Sequence, residues 1–331
     1  MADPKSILVI VVARIGDTLL ATPIVRALSE QYPEARVHVA AHPKRVELLD
    51  NLPFVASTIP LDKKRSPFRG WLPRKGYDLV LVYGHDAALI KYAHRVGRRV
   101  IAFAQPKPAL NDLLDDVVAV PATLMHAVEE RGLLLSPLNI LMQNKRLGYV
   151  VDSAEKDQAQ TWLNRHLPGD GPVYGLQPSS FPTKAYRDWP LDNFLEIGRR
   201  LLLQNGQARI LVLGGPDGQA LADQMAASLG ERVSSVAGRF GLRGSFALMS
   251  LLDLYLGVDT GPTHVAGALG VPMVGLYHCQ HPGRYLQPLQ HPKGVFLEHP
   301  RTAGDCSRES DMSEISVESV WHAVTKVLQH V

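Results

Sequence analysis

Cysteine is almost missing from this sequence. Cys279 and Cys306 are the only two in 331 residues, too few for a disulfide framework and in keeping with a reducing compartment. Long apolar runs are missing as well. The first apolar run, residues 7–13, meets Arg14 and Asp17 at once and falls far short of the roughly 20 residues of a membrane span. Neither a signal peptide nor a transmembrane helix is expected, and the expected location is the cytoplasm. Strong charge of one sign is also absent: the formal net charge is +3. That is too weak to argue for nucleic acid, yet compatible with an anionic membrane surface or substrate. The Gly-rich turn Gly214-Gly215-Pro216-Asp217-Gly218 lacks the Gly-Lys-Ser/Thr of a phosphate-binding P-loop and a full dinucleotide fingerprint.

What is present reads as an ordinary globular chain, 46% hydrophobic and 20% charged, long enough for two domains. Short β-branched runs alternate with helical stripes from the start. Residues 6–12 read as a strand, Ala13 to Asp17 as a turn, and Leu19, Leu20, Ile24, Ala27 and Leu28 as one helical stripe. Strands over 37–41, 54–59, 79–83 and 99–103 and helices over 44–50, 86–96 and 123–135 follow. The stretch 105–120 has no clear period and reads as a mobile flap. Such alternation implies parallel sheets with helices on both faces, where ligands sit beyond the carboxyl ends of the strands. Asp17 is then on the functional edge. Residues 62–75 carry six cations against one acid, with Phe68 and Trp71 among them, and read as a basic loop. Charge runs usually coat solvated surface, but this one leaves the same edge as Asp17.

A domain boundary is placed within 137–172, around a helix over 154–167, giving domains 1–150 and 151–331. Beyond it, a strand over 173–177 opens into a loop with Ser179, Ser180, Lys184 and Arg187, two hydroxyls and two cations suited to phosphates. A strand over 209–213 precedes the Gly-rich turn with Asp217. Residues 254–258 form another strand, followed by Asp259-Thr260-Gly261-Pro262-Thr263-His264 and a short helix. Asp259 or Thr260 can cap that helix, Gly261 admits close approach, and the free N–H groups of its first turn, with His264, favour an anion such as a diphosphate. His278, Cys279 and His281 invite a metal reading. Three mixed candidates in one turn, without a distant matched pair, rarely make a zinc site, and no metal is expected.

The run from Asp259 to Pro272 resembles the signature of the family 9 glycosyltransferases, the bacterial lipopolysaccharide heptosyltransferases. Arg14-Ile15-Gly16-Asp17, the Ser179-Ser180, Lys184 and Trp189-Pro190 loop, and Met125 to Arg131 resemble that family too; His278 to Tyr285 departs from its usual Gly-Pro-Thr-Asp-Pro turn. The resemblance implies a GT-B fold, two Rossmann-like domains with parallel sheets facing across a cleft, the first binding acceptor and the second the nucleotide sugar. It implies an inverting, metal-independent transfer of heptose from an ADP-heptose donor, with no separate cofactor, to the anionic inner core of lipopolysaccharide at the inner face of the inner membrane. Asp17 would be the base. Ser179, Ser180, Lys184, Thr260, Gly261 and His264 would hold the diphosphate, Asp259 would orient the sugar, and Arg187 and Asp217 are further donor candidates. Arg14, Lys63, Lys64 and Arg65 are the candidate acceptor cations. A different nucleotide-sugar donor, an epimerase of the same fold, and a binding protein with a degenerate site are the competing readings. The epimerase would need no acceptor clamp.

Overall fold

The structure, a computed structural model, describes residues 3–70 and 76–329. The chain divides into two compact units, Met1–Val150 and Val151–Val331.

The first unit holds β1 (Ser6–Val11), α1 (Ile15–Leu19), α2 (Thr22–Gln31), β2 (Arg36–Ala41), β3 (Ser57–Pro60), β4 (Tyr77–Val82), α3 (Ala87–Val96), β5 (Gly97–Phe103), α4 (Pro108–Asn111), β6 (Asp116–Val118) and α5 (Ala127–Gly132). Its parallel sheet has the order β3-β2-β1-β4-β5-β6. Alternate residues of β1 serve opposite layers: Ile7, Val9 and Val11 pack with α2, and Leu8 and Ile10 pack with α3. A strand covered on both faces has no solvent side, which is why β1 reads as a continuous apolar run.

The second unit holds α6 (Ser153–His166), β7 (Val173–Gln177), α7 (Leu191–Gln204), β8 (Arg209–Val212), α8 (Gln219–Leu229), β9 (Val233–Ser235), α9 (Leu242–Met249), β10 (Leu254–Val258), α10 (Gly261–Leu269), β11 (Met273–Tyr277), α11 (Gly283–Leu286), β12 (Gly294–Glu298) and α12 (Val317–Leu328). Its sheet is again parallel, ordered β12-β11-β10-β7-β8-β9. The apolar stripe of α12 (Val320, Ala323, Val324, Val327) closes one face with α7 and α8. Both units are therefore the doubly wound α/β layers of the GT-B class. In each, the strand order reverses beside the first strand, between β1 and β4 and between β7 and β10, and ligands of such sheets bind at that crevice.

Several local expectations are corrected. The stretch read as a mobile flap contains α4 and the edge strand β6, too short for a periodic signal but paired with β5 through Ile101 to Phe103. The single helical stripe after Asp17 is two helices, α1 and α2, broken around Leu20 and Ala21. The helix expected over 44–50 is one 3-10 turn, Val46–Leu49, and the one over 123–135 is α5 followed by a 3-10 stretch with Pro137 inside it. β9 and β12 went unread because short edge strands carry little pattern. The two cysteines are paired, Cys279 with Cys306, across 27 positions. A pair that far apart in sequence gives no local signal; β11 and the return of the chain before α12 bring the two together. No helix among the described residues is long and apolar enough to cross a membrane.

Thr22 ties the end of the first unit to its start. Its buried hydroxyl donates to Leu19 O at 2.6 Å and accepts from Gly148 N at 2.8 Å. Thr22→Val keeps the shape and strands a buried N–H, which costs about 1–3 kcal/mol. A lower midpoint in urea unfolding with an unchanged far-ultraviolet circular dichroism spectrum is the expected result.

Candidate active site

At the reversal of the first sheet, the turn after β1 delivers Asp17 and the turn after β4 delivers Tyr83. The helix carrying Asp17 is only five residues long, too short for a substantial dipole. Its charge partner comes from elsewhere. Arg131, on α5, donates from Nη2 to Asp17 Oδ1 at 2.7 Å, and its side chain is 2% exposed whereas that of Asp17 is 45% exposed. The same guanidinium donates to Ala127 O at 2.8 Å and lies 4.1 Å from the centre of the Tyr83 ring. A buried cation clamped on three sides aims the carboxylate while leaving it open to solvent. Burial raises the Tyr83 phenol above its ordinary value, Glu130 and Asp17 adding to the effect and Arg131 opposing it, so the ring stays neutral under the guanidinium.

Arg14 is exposed at the N-cap of α1. Arg45 donates to Ala13 O at 3.3 Å beside it, and burial and Arg14 lower the Arg45 pKa from its ordinary value. His42 is likewise lowered by burial and by Arg45 and Lys44, with Asp62 opposing. Lys63, Lys64 and Arg65 are exposed. Lys63 pairs with Asp86 at 3.1 Å and Arg65 with Asp62 at 3.5 Å, contacts worth little in water and easily exchanged for an anionic ligand. The loop is anchored: Arg95 donates to Ser66 O and Arg69 O, at 2.7 and 3.1 Å, and Phe68 is left 83% exposed. Trp71, Arg74 and Lys75 of the basic loop lie outside the described residues.

In the second unit the loops after β7, β8, β10 and β11 leave one sheet edge. Thr260 is the N-cap residue of α10 but its side chain makes no capping bond; Thr263 Oγ1 instead donates to Val258 O at 2.6 Å and meets Tyr255 Oη at 2.9 Å. The first-turn amide of Gly261 is thus left without a side-chain cap, the arrangement that favours an anion. α10 ends at Gly270 with φ +70°, a left-handed cap that glycine adopts without strain.

Asp259, 5% exposed, accepts from Arg187 Nη1 at 2.6 Å, and His264 Nε2 stands 3.8 Å from its other oxygen. Lys184 and Arg187 belong to the loop after β7. Ser180 N donates to Asp188 Oδ1 at 2.7 Å and Ser180 Oγ to Lys184 O at 2.8 Å, so that hydroxyl proton is committed within the loop. Ser179 lies against Gly218, where a Cβ would come within 2.4 Å of its Oγ. Asp217 is exposed one residue earlier.

Tyr186 was not singled out by sequence reasoning. Its hydroxyl is hydrogen-bonded with His281 Nε2 at 2.9 Å, and Lys184 Nζ and the Arg187 and Arg308 guanidiniums lie 4.9–5.8 Å from its ring centre. Burial and the nearby Arg187, Lys184 and His278 push the His281 pKa down to about 4, so the imidazole beside that hydroxyl is neutral near pH 7. Arg131 was also missed: it closes the family-like segment from Met125, but 114 positions separate it from Asp17. Among the described residues no group of three or more His, Cys, Asp or Glu is placed to hold a metal. His278 and Cys279 are otherwise engaged, with Ser310 O and Cys306.

The family model described as glycosyltransferase family 9 (heptosyltransferase) matches residues 70–315. The chain belongs to glycosyltransferase family 9. It is 25% identical over 314 residues to lipopolysaccharide heptosyltransferase 2 of Escherichia coli, covering 88% of this chain and 87% of that one. Among solved structures, a family 9 glycosyl transferase from Veillonella parvula superposes with a TM-score of 0.85 at 19% identity, covering 99% and 98% of the two chains. The E. coli ADP-heptose lps heptosyltransferase II does so with 0.82 at 22% identity, covering 98% and 99%. This family 9 enzyme is a glycosyltransferase whose relatives by sequence include lipopolysaccharide heptosyltransferases.

Two outcomes are expected. Asp259→Asn leaves the largely covered Arg187 guanidinium without its carboxylate and costs about 3 kcal/mol, read as a lower urea midpoint. For His281, the unfolded chain binds its proton near the ordinary value of 6.5 and the folded one only near 4. Its contribution to stability is therefore present above about 6.5 and lost as pH falls toward 4. Urea midpoints of His281→Gln should vary less across that window than those of the unaltered chain; parallel pH profiles would refute the assignment.

Proposed function

We propose that this enzyme is an inverting, metal-independent transferase that moves heptose from ADP-L-glycero-D-manno-heptose to the inner core of lipopolysaccharide, a lipid A–Kdo acceptor or an already heptosylated core. The observation that carries the reading is the Arg131-clamped, solvent-open carboxylate of Asp17 at the sheet reversal of the first unit. The uncapped N-terminus of α10 supports the donor half of it. Residues 1–150 are assigned to the acceptor and 151–331 to the nucleotide sugar.

The chemistry divides between the two units. Asp17 Oδ2, the oxygen not held by Arg131, takes the proton of the acceptor hydroxyl as its oxygen bonds to the anomeric carbon. The bond from that carbon to the diphosphate breaks on the opposite face, inverting the centre, and its electron pair leaves with ADP. Because the sugar develops oxocarbenium character, the hydroxyl becomes acidic late, when an aligned base is most effective. The leaving charge is met by the first-turn amide of α10 and by Lys184, Arg187 and His264, with Ser179, Ser180, Thr260 and Gly261 lining the same loops. Asp259 sets the direction of Arg187 and so of the sugar beside it; Asp217 is assigned to the ribose. Arg14, Lys63, Lys64 and Arg65 bind acidic groups of the acceptor. Exposed Phe68 beside three cations fits a transient, peripheral contact with the anionic cytoplasmic face of the inner membrane.

The test is ADP release from ADP-heptose, with and without deacylated core acceptor. Acceptor-dependent release that falls about 10²–10⁴-fold in Asp17→Asn, with ADP affinity retained, is expected. Release without acceptor would identify an epimerase or hydrolase. Donor binding without release, across several core acceptors, would count against heptose or against catalysis.

A further inference from the structure

Beside the donor loop runs a strap, residues 304–311, that the proposed reaction does not use. Its exposed Cys306 is bonded to buried Cys279, two residues beyond the end of β11. Two residues past Cys306, Arg308 donates from Nη2 to Thr183 O at 3.3 Å, and its guanidinium carbon lies 4.9 Å from the centre of the Tyr186 ring. Those two contacts grip the 3-10 turn Pro182–Arg187, which carries Lys184 and Arg187. The rest of the strap is held separately. His278 Nε2 donates to Ser310 O at 3.1 Å, His299 Nε2 donates to Asp311 O at 2.9 Å, and Ser307 N donates to Ser310 Oγ at 3.1 Å. Cutting the disulfide therefore removes the covalent tie two residues before Arg308 and leaves that residue positioned by the Ser307–Ser310 turn, with the strap's far end in place.

We infer that the Cys279–Cys306 disulfide is a redox-controlled clasp, which holds Arg308 against the donor loop and thereby sets the enzyme's affinity for the nucleoside diphosphate part of its substrate. The inference rests on the reading of the loop after β7 as a donor site. The geometry favours access from one side: Cys306 meets solvent and Cys279 does not. A dithiol reductant is the required co-reactant. One of its thiolates attacks Cys306 Sγ, the bond to Cys279 breaks with its electron pair on the Cys279 sulfur, and that sulfur takes a proton. The reductant's second thiolate resolves the mixed disulfide, releasing Cys306 as a thiol. Two electrons and two protons reach the protein, and the reductant leaves as its own disulfide. With the bond gone, Arg308 stays on the turn only through a hydrogen bond and a cation–π contact at an exposed position, too weak to keep it there, and the turn loses one support beside Arg187–Asp259 and Ser180–Asp188.

The experiment uses the full chain in three forms: air-oxidised, reduced by dithiothreitol, and Cys306→Ser, with Arg308→Ala in the oxidised state as a fourth. Unreduced, denatured protein treated with N-ethylmaleimide should take up no label. Amide hydrogen exchange, which needs no ligand, should quicken over 182–188 and 304–308 in the reduced and Cys306→Ser proteins. ADP affinity should drop about 3- to 10-fold in both and in Arg308→Ala, and reoxidation of the unaltered chain should restore it. Two labelled cysteines in the unreduced protein, unchanged exchange over 182–188 on reduction, or equal ADP affinity in oxidised and reduced protein would each overturn the clasp. Exchange that responds to reduction while no form binds ADP would retain the mechanical clasp and overturn the donor-site reading instead.

Discussion

Strands that all run parallel send every strand-to-helix turn to the same edge of the sheet, and this constraint organises each unit of the enzyme. Chain order alone then decides which turns become neighbours. In the first unit the chain runs outward from β1 through β2 and β3, and returns to lay β4 on the other side of β1. Asp17 and Tyr83, far apart in sequence, arrive at one crevice. The second unit repeats the manoeuvre with β7 and β10, which brings Arg187 to Asp259. Hydrophobic burial on both faces holds the edges in register, so the polar turns contribute chemistry rather than cohesion.

The loop after β7, at the edge of the second unit, is crowded with positive charge. Lys184, Arg187 and Arg308 surround a single tyrosine ring, and the neighbouring His281 is driven toward neutrality. The cations of such a cluster repel one another, and the carboxylate of Asp259 is already bound to Arg187. The hydrogen bonds of Asp188 with Ser180 and of Trp189 with Ile315 hold the loop against that repulsion. On the proposed reading, a diphosphate entering among these cations relieves that repulsion.

How much of this could be read in advance follows the range of each interaction. Strands buried on both faces, such as residues 173–177 and 254–258, announce themselves by composition. The turns after them do so by Gly, Pro and hydroxyl residues at fixed offsets, and Asp17, Lys184 and Asp259 were therefore legible as candidates. Short edge strands such as β6, β9 and β12 were not, because three to five residues carry no period. Partners that meet only through the crossover topology were equally hidden. Arg131 stood in the sequence only as the end of a family-like segment, and it is one of the most buried charges among the described residues. Cys279 and Cys306 looked too few and too distant to matter.

Asp17 and Asp259 are the same group in mirrored circumstances, and the difference between them underlies the different roles proposed for them. Each sits just past the first or fourth strand of its sheet and each is bound to an arginine at 2.6–2.7 Å. At Asp17 the arginine is buried and the carboxylate is open, so one oxygen is fixed from beneath while the other can meet an incoming hydroxyl. At Asp259 the carboxylate itself is buried, with Arg187 over one oxygen and His264 beside the other. A proton could reach it only by displacing a cation from a site of low polarity, and the cost of a stranded buried charge opposes that exchange. Burial of the arginine is what suits the first carboxylate to the base role proposed for it; burial of the carboxylate suits the second to directing Arg187.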